Sequence, residues 1–101
     1  MRSAGGRLRL IGTLRGEGTL LWGKSGSRRV SYAIDLFSQG QMRSGNGDVR
    51  GDLAALVARA PANVRLSLED GAEVGVTLAD IGSEAAVVEL LGTVPSVPAK
   101  P

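Results

Sequence analysis

The fold turns on the stretch RVSYAIDLF, residues Arg29–Phe37. Successive side chains of an extended chain point to opposite sides. Val30, Tyr32, Ile34 and Leu36 therefore share one face, and Arg29, Ser31, Ala33, Asp35 and Phe37 share the other. The β-branched and aromatic content supports a strand. Only one face is strongly apolar, so the sheet is covered on that side and wet on the other, as antiparallel sheets tolerate.

Upstream, the alternation RLRL within Arg7–Arg15 is also period two, until Ile11, Gly12 and Thr13 disturb it. A glycine inside a strand marks a bulge or a bend. RGEG (Arg15–Gly18) reads as a hairpin turn into a second strand, TLLWG (Thr19–Gly23), and KSGSR (Lys24–Arg28) as a further loop. Downstream, SQG turns the chain into QMRSGNGDVRG, whose glycines suggest a short or irregular strand.

The period changes once. In DLAALVARAP (Asp52–Pro61), Leu53, Leu56 and Val57 fall at i, i+3 and i+4 and predict one apolar helical stripe. Alanines supply helix propensity, Asp52 is a preferred N-cap, and Pro61 stops the helix. So short a helix is marginal alone and must pack against the sheet or plug a barrel end.

Three alternating segments follow. NVRLSLEDG places Val64, Leu66 and Leu68 inward, and its Asp70–Gly71 pair is a hairpin signal. AEVGVTLADIG places Val74, Val76 and Leu78 inward with Gly75 on the wet face. EAAVVELLG has Ala86, Val88 and Leu90 on one side and Ala85, Val87 and Leu91 on the other, so it is apolar on both. The sequence thus predicts a mainly β protein, a small antiparallel β-barrel or two-layer β-sandwich, with one short α-helix between the fourth and fifth of seven strands. One compact domain is expected over residues 1–92, with the helix at about 52–60. Residues 93–101 read as a proline-rich mobile tail. No motif ties the chain to a family.

Composition narrows the chemistry. Among 101 residues there is neither cysteine nor histidine, which excludes disulfides, thiol catalysis, thiolate zinc and imidazole general bases. No apolar run approaches the roughly 20 residues that span a bilayer, and the N-terminal arginines interrupt any secretory apolar core, so a cytoplasmic protein is expected. Residues 1–50 carry nine basic and three acidic side chains, a balance of +6, and residues 51–101 carry three and seven, a balance of −4. Such asymmetry suits an acidic partner or head-to-tail docking of two copies, unless distant strands interleave and cancel it.

Candidate sites reduce to few. In SGNGDVRGDLAAL (Ser44–Leu56) the glycines miss both phosphate-loop and dinucleotide-loop spacing, and Asp52 places a negative charge where a phosphate would sit. Asn46, Asp48 and Asp52 lack the closing glutamate of a calcium loop. The tripeptide Arg50–Gly51–Asp52 is better read as a bend and an N-cap than as an adhesive motif. Asp35 would need a second acid or base in a pocket to be catalytic, and no spacing supplies one. Neither a cofactor nor a metal is expected. The reading is a non-enzymatic binding or assembly module, with homo-oligomerisation through a sheet edge or face. The alternative is a nucleic-acid module in which Arg7, Arg9, Arg15, Arg29 and Arg43 contact phosphates and Phe37 stacks on a base.

Overall fold

The computed structural model describes residues 8–58, 61 and 63–91. Strands β1 (Arg9–Trp22), β2 (Gly26–Gln39) and β3 (Met42–Gly51) precede helix α1 (Ala54–Ala58), and β4 (Val64–Ser67), β5 (Glu73–Ala79) and β6 (Ala85–Leu91) follow it. All neighbours pair antiparallel, in the closed order β1-β2-β3-β6-β5-β4. The protein is a small six-stranded antiparallel barrel with one short helix among its strands. Arg7 and residues 92–101, including the expected tail, lie outside the described residues, as does the expected end of the helix at 59–60.

The period-two reading of β2 holds. Val30, Tyr32, Ile34 and Leu36 are buried, whereas Arg29, Ser31 and Asp35 face solvent. Inward residues of the later strands, Val64, Leu66, Val74, Val76, Ala86, Val88 and Leu90, complete an aliphatic core. The turn at Asp70–Gly71 also forms as expected. Leu68 and Ala72 close it, Gly71 adopts φ +96°, and the Asp70 carboxylate accepts the Ala72 amide at 2.9 Å. The disturbed alternation near Gly12 is a register shift between Leu10 and Gly12.

Six strands replace the expected seven, and α1 lies between the third and fourth, because RGEG is no turn. Arg15–Gly18 runs through the middle of the 14-residue β1. Its glycines point inward, where the chain approaches β4 and the turn after it. A Cβ on Gly18 would strike the Ser67 carbonyl, and one on Gly16 would come 2.5 Å from Glu69 Oε1. The stretch SGNGDVRG is likewise no irregular segment but the regular strand β3. Gly45, Gly47 and Gly51 alternate with outward Ser44, Asn46, Asp48 and Arg50. A Cβ on Gly47 would collide with the backbone of Ala33, and one on Gly45 would lie 2.6 Å from Leu90 Cδ1. These glycines let a narrow barrel close.

The connection from β3 to α1 lies over one barrel end, tied to the β5–β6 loop by Gly51 N–H to Glu84 C=O (3.0 Å) and Leu53 N–H to Ser83 C=O (2.8 Å). Leu53 and Leu56 are fully buried in the core there, and Trp22 and Ile81 pack against it. Asp52 accepts the Ala54 amide at 3.3 Å, the expected cap. Val57 is 52% exposed, against the expected three-residue stripe. The described helix is little more than one turn, so it presents only a narrow face to the core.

Candidate functional site

The strand order decides where charge sits. β1, β2 and β3 form one contiguous half of the wall, and β6, β5 and β4 the other. Residues 8–51 carry seven basic and three acidic side chains, a balance of +4. Residues 63–91 carry Arg65 against six acids, a balance of −5. The halves do not interleave, so the asymmetry of the sequence survives as a basic half and an acidic half, four of whose six acids (Glu69, Asp70, Asp80 and Glu84) lie in the loops between its strands. Two exposed ion pairs lie within the halves, Arg29–Glu17 at 3.2 Å and Arg65–Glu73 at 3.4 Å.

The first seam between the halves, from β1 to β4, is held by backbone pairing only over Thr19–Leu21. Beyond it the β4–β5 turn is fastened by side chains. Glu69 Oε1 accepts the Glu17 amide at 3.0 Å, and the Glu69 amide donates to the Tyr32 hydroxyl at 3.0 Å. Hollows of about 310 Å³ and 540 Å³ flank Glu69, the smaller lined by Thr13, Arg15 and Tyr32 and the larger by Gly18, Arg29 and Ser67. Asp70 also lines the smaller hollow and Glu17 the larger, but Glu69 and Tyr32 are engaged in holding the seam, the Glu17 carboxylate pairs with Arg29, and the Asp70 carboxylate accepts the Ala72 amide. Among the described residues no group of three His, Cys, Asp or Glu is placed to hold a metal ion.

Asp35 faces solvent and accepts the Thr13 hydroxyl at 2.9 Å. It lines neither of the hollows beside Glu69. Of the described basic residues named above, Arg15 and Arg29 share the outer face with Phe37, and Arg9 and Arg43 do not. Arg9 and Arg43 flank Ser38, whereas Phe37 lies between Leu10 and Ser44 on the opposite face of the same ribbon. Arg15 lies opposite Ala33, and Arg29 opposite Thr19. On the outer face Arg29, Arg15 and Phe37 are thus spaced four residues apart, about 13 Å per step.

The second seam, from β3 to β6, is different. Its ladder runs from Arg50–Ala85 to Asn46–Glu89, and continuation of that register sets Ser44 beside Leu91. Together with the Leu10–Phe37, Phe37–Ser44 and Gly75–Leu91 pairs, one outward row crosses five strands: Leu10, Phe37, Ser44, Leu91, Gly75. Leu10 is 60% exposed, Leu91 49% and neighbouring Met42 73%. Val87, four residues from Leu91 on the same face with Glu89 between them, is exposed as well. The sequence marked the two-sided β6, but not the row, which exists only once four hairpin and crossover registers are fixed.

No known protein family, curated protein or solved structure matches this chain significantly.

Proposed function

We propose that this barrel is a soluble, cytoplasmic, non-enzymatic binding or assembly module that works as a homo-oligomer through its wall. The observation that carries the reading is the large apolar side chains left in solvent on the barrel wall, Leu10, Met42, Val87 and Leu91. Large apolar side chains exposed on a sheet face mark candidate interaction sites. The non-enzymatic part is supported by the outward, solvated position of Asp35 and by the structural engagement of Glu69 and Tyr32. Among the described residues no helix is long and apolar enough to cross a membrane.

Light scattering on the eluted full chain tests the reading, with a concentration-dependent dimer as the expected result. Nucleic-acid binding is the competing reading, and the placement of Phe37 away from Arg9 and Arg43 counts against it. Salt-sensitive binding of a fluorescent oligonucleotide by a strictly monomeric protein would replace the assembly reading with that one.

A further inference from the structure

We infer that the free edge of β1, over Thr13–Glu17, pairs with an extended peptide segment of a partner protein, and that Glu69 holds the place of that segment until it arrives. The inference goes beyond the assembly reading and uses a different surface. β1 meets β2 along its whole length but meets β4 only over Thr19–Leu21. The Glu17 amide points away from β2, since it donates to Glu69 Oε1 at 3.0 Å. Alternation along an antiparallel strand turns the N–H and C=O groups of Arg15 and Thr13 the same way. Among the described residues no strand or turn backbone pairs with them there. The register shift between Leu10 and Gly12 ends the regular edge, which leaves Thr13–Glu17 for docking.

The occupant follows from what stands there now. The Glu69 carboxylate gives the Glu17 amide the acceptor that a carbonyl of a neighbouring strand would give it. It reaches there from the turn after β4, across the inner side of Gly16, where an added Cβ would come 2.5 Å from its Oε1. Hollows on both sides of Glu69 leave room for a chain on the same track. A strand takes such an edge through its main chain, and its alternate side chains set which strand is taken. Side chains opposite Leu14 and Gly16 point inward, toward Leu14, Leu68 and Tyr32, and are apolar. The side chain opposite Arg15 points outward beside it. Arg15 is exposed and forms no ion pair among the described residues, whereas Glu17 is paired with Arg29, so this position takes a carboxylate. Asp70 lines the same hollow, but its carboxylate accepts the Ala72 amide.

The probe is an acetylated and amidated peptide, threonine-valine-glutamate-valine-threonine, which reads the same in both directions. Titrated into the isotope-labelled full chain, it should shift the Thr13, Arg15 and Glu17 amides saturably. N-methylation of its glutamate removes the N–H that meets the Arg15 carbonyl and should weaken binding about fivefold or more, the worth of one hydrogen bond. Lysine in place of that glutamate sets two cations together and should weaken binding as well. Glu69→Ala vacates the edge and should tighten binding about fivefold. Glu69→Gln keeps an acceptor oxygen and should bind as the wild type does, with the β2–β3 amides of both variants showing that they are folded. Shifts absent from Thr13–Glu17 in the wild type and in both variants overturn the inference, as does binding that either peptide change leaves unaltered. Protection of these amides that rises with protein concentration alone puts a second copy on the edge and overturns the peptide as its occupant. The oligomeric state by light scattering decides the assembly reading separately.

Discussion

Gly47→Ala adds one methyl group to the middle of β3, and its effect can be worked from the barrel geometry. In an ordinary strand the change would stabilise by about 0.4–1 kcal/mol, because alanine has less conformational freedom to lose on folding. At position 47 the new Cβ meets the carbonyl oxygen of Ala33 and comes within 2.7 Å of the Ile34 Cα. Both obstacles are backbone of β2, itself paired on its other side with β1, so neither can swing aside as a side-chain tip would. Overpacking of this kind costs about 1–3 kcal/mol, and the immobility of β2 places the net loss at about 2–3 kcal/mol. For a domain of this size that is a fall in Tm on the order of 10–20 °C. Gly75→Ala is the internal comparison, since its Cβ meets nothing closer than 3.8 Å and should leave stability unchanged or slightly raised. Urea titration followed by the single tryptophan, Trp22, and by circular dichroism measures both. A Gly47→Ala protein within about 0.5 kcal/mol of wild type would refute the claim that glycines permit barrel closure.

Leu56→Ala should cost about 2–5 kcal/mol in the same titration, because Leu56 is 1% exposed where α1 meets the core. Asp52→Ala should cost about 0.5–1 kcal/mol, the low end for an N-cap, given the long 3.3 Å bond to Ala54; an unchanged midpoint would remove the capping role. Tyr32→Phe deletes the acceptor of the Glu69 amide. It should destabilise by about 1 kcal/mol and speed hydrogen exchange at Glu69 more than in the β2–β3 ladder.

Much of the architecture could be read directly from residue patterns. Alternation in Arg29–Phe37 placed the core face of β2 correctly, Asp52 located the helix start, and Asp70–Gly71 located a turn. The errors share one cause. Glycine suggests a turn in RGEG and a short or irregular strand in SGNGDVRG, whereas in both it marks the inward side of an uninterrupted strand. A signal was available. Gly45 and Gly47 are two residues apart and alternate with polar residues, as inward positions do. Which obstacle each glycine avoids depends on the neighbouring strand, and no local pattern names that neighbour.

The same division holds for the candidate interface. Residue order alone determined the aliphatic core, the lack of thiol and imidazole chemistry, the two-sided strand β6 and the unequal charge of the two halves. Tertiary structure decided what these become. The order β1-β2-β3-β6-β5-β4 keeps the halves apart, so the charge difference survives as a basic half and an acidic half. Barrel closure also brings Phe37, Leu91 and Gly75 into one row. Side-chain alternation and charge are local properties of a chain and are written in its order. A surface is made by register between strands distant in that order, and register is fixed only when every strand has found its partners around a closed barrel.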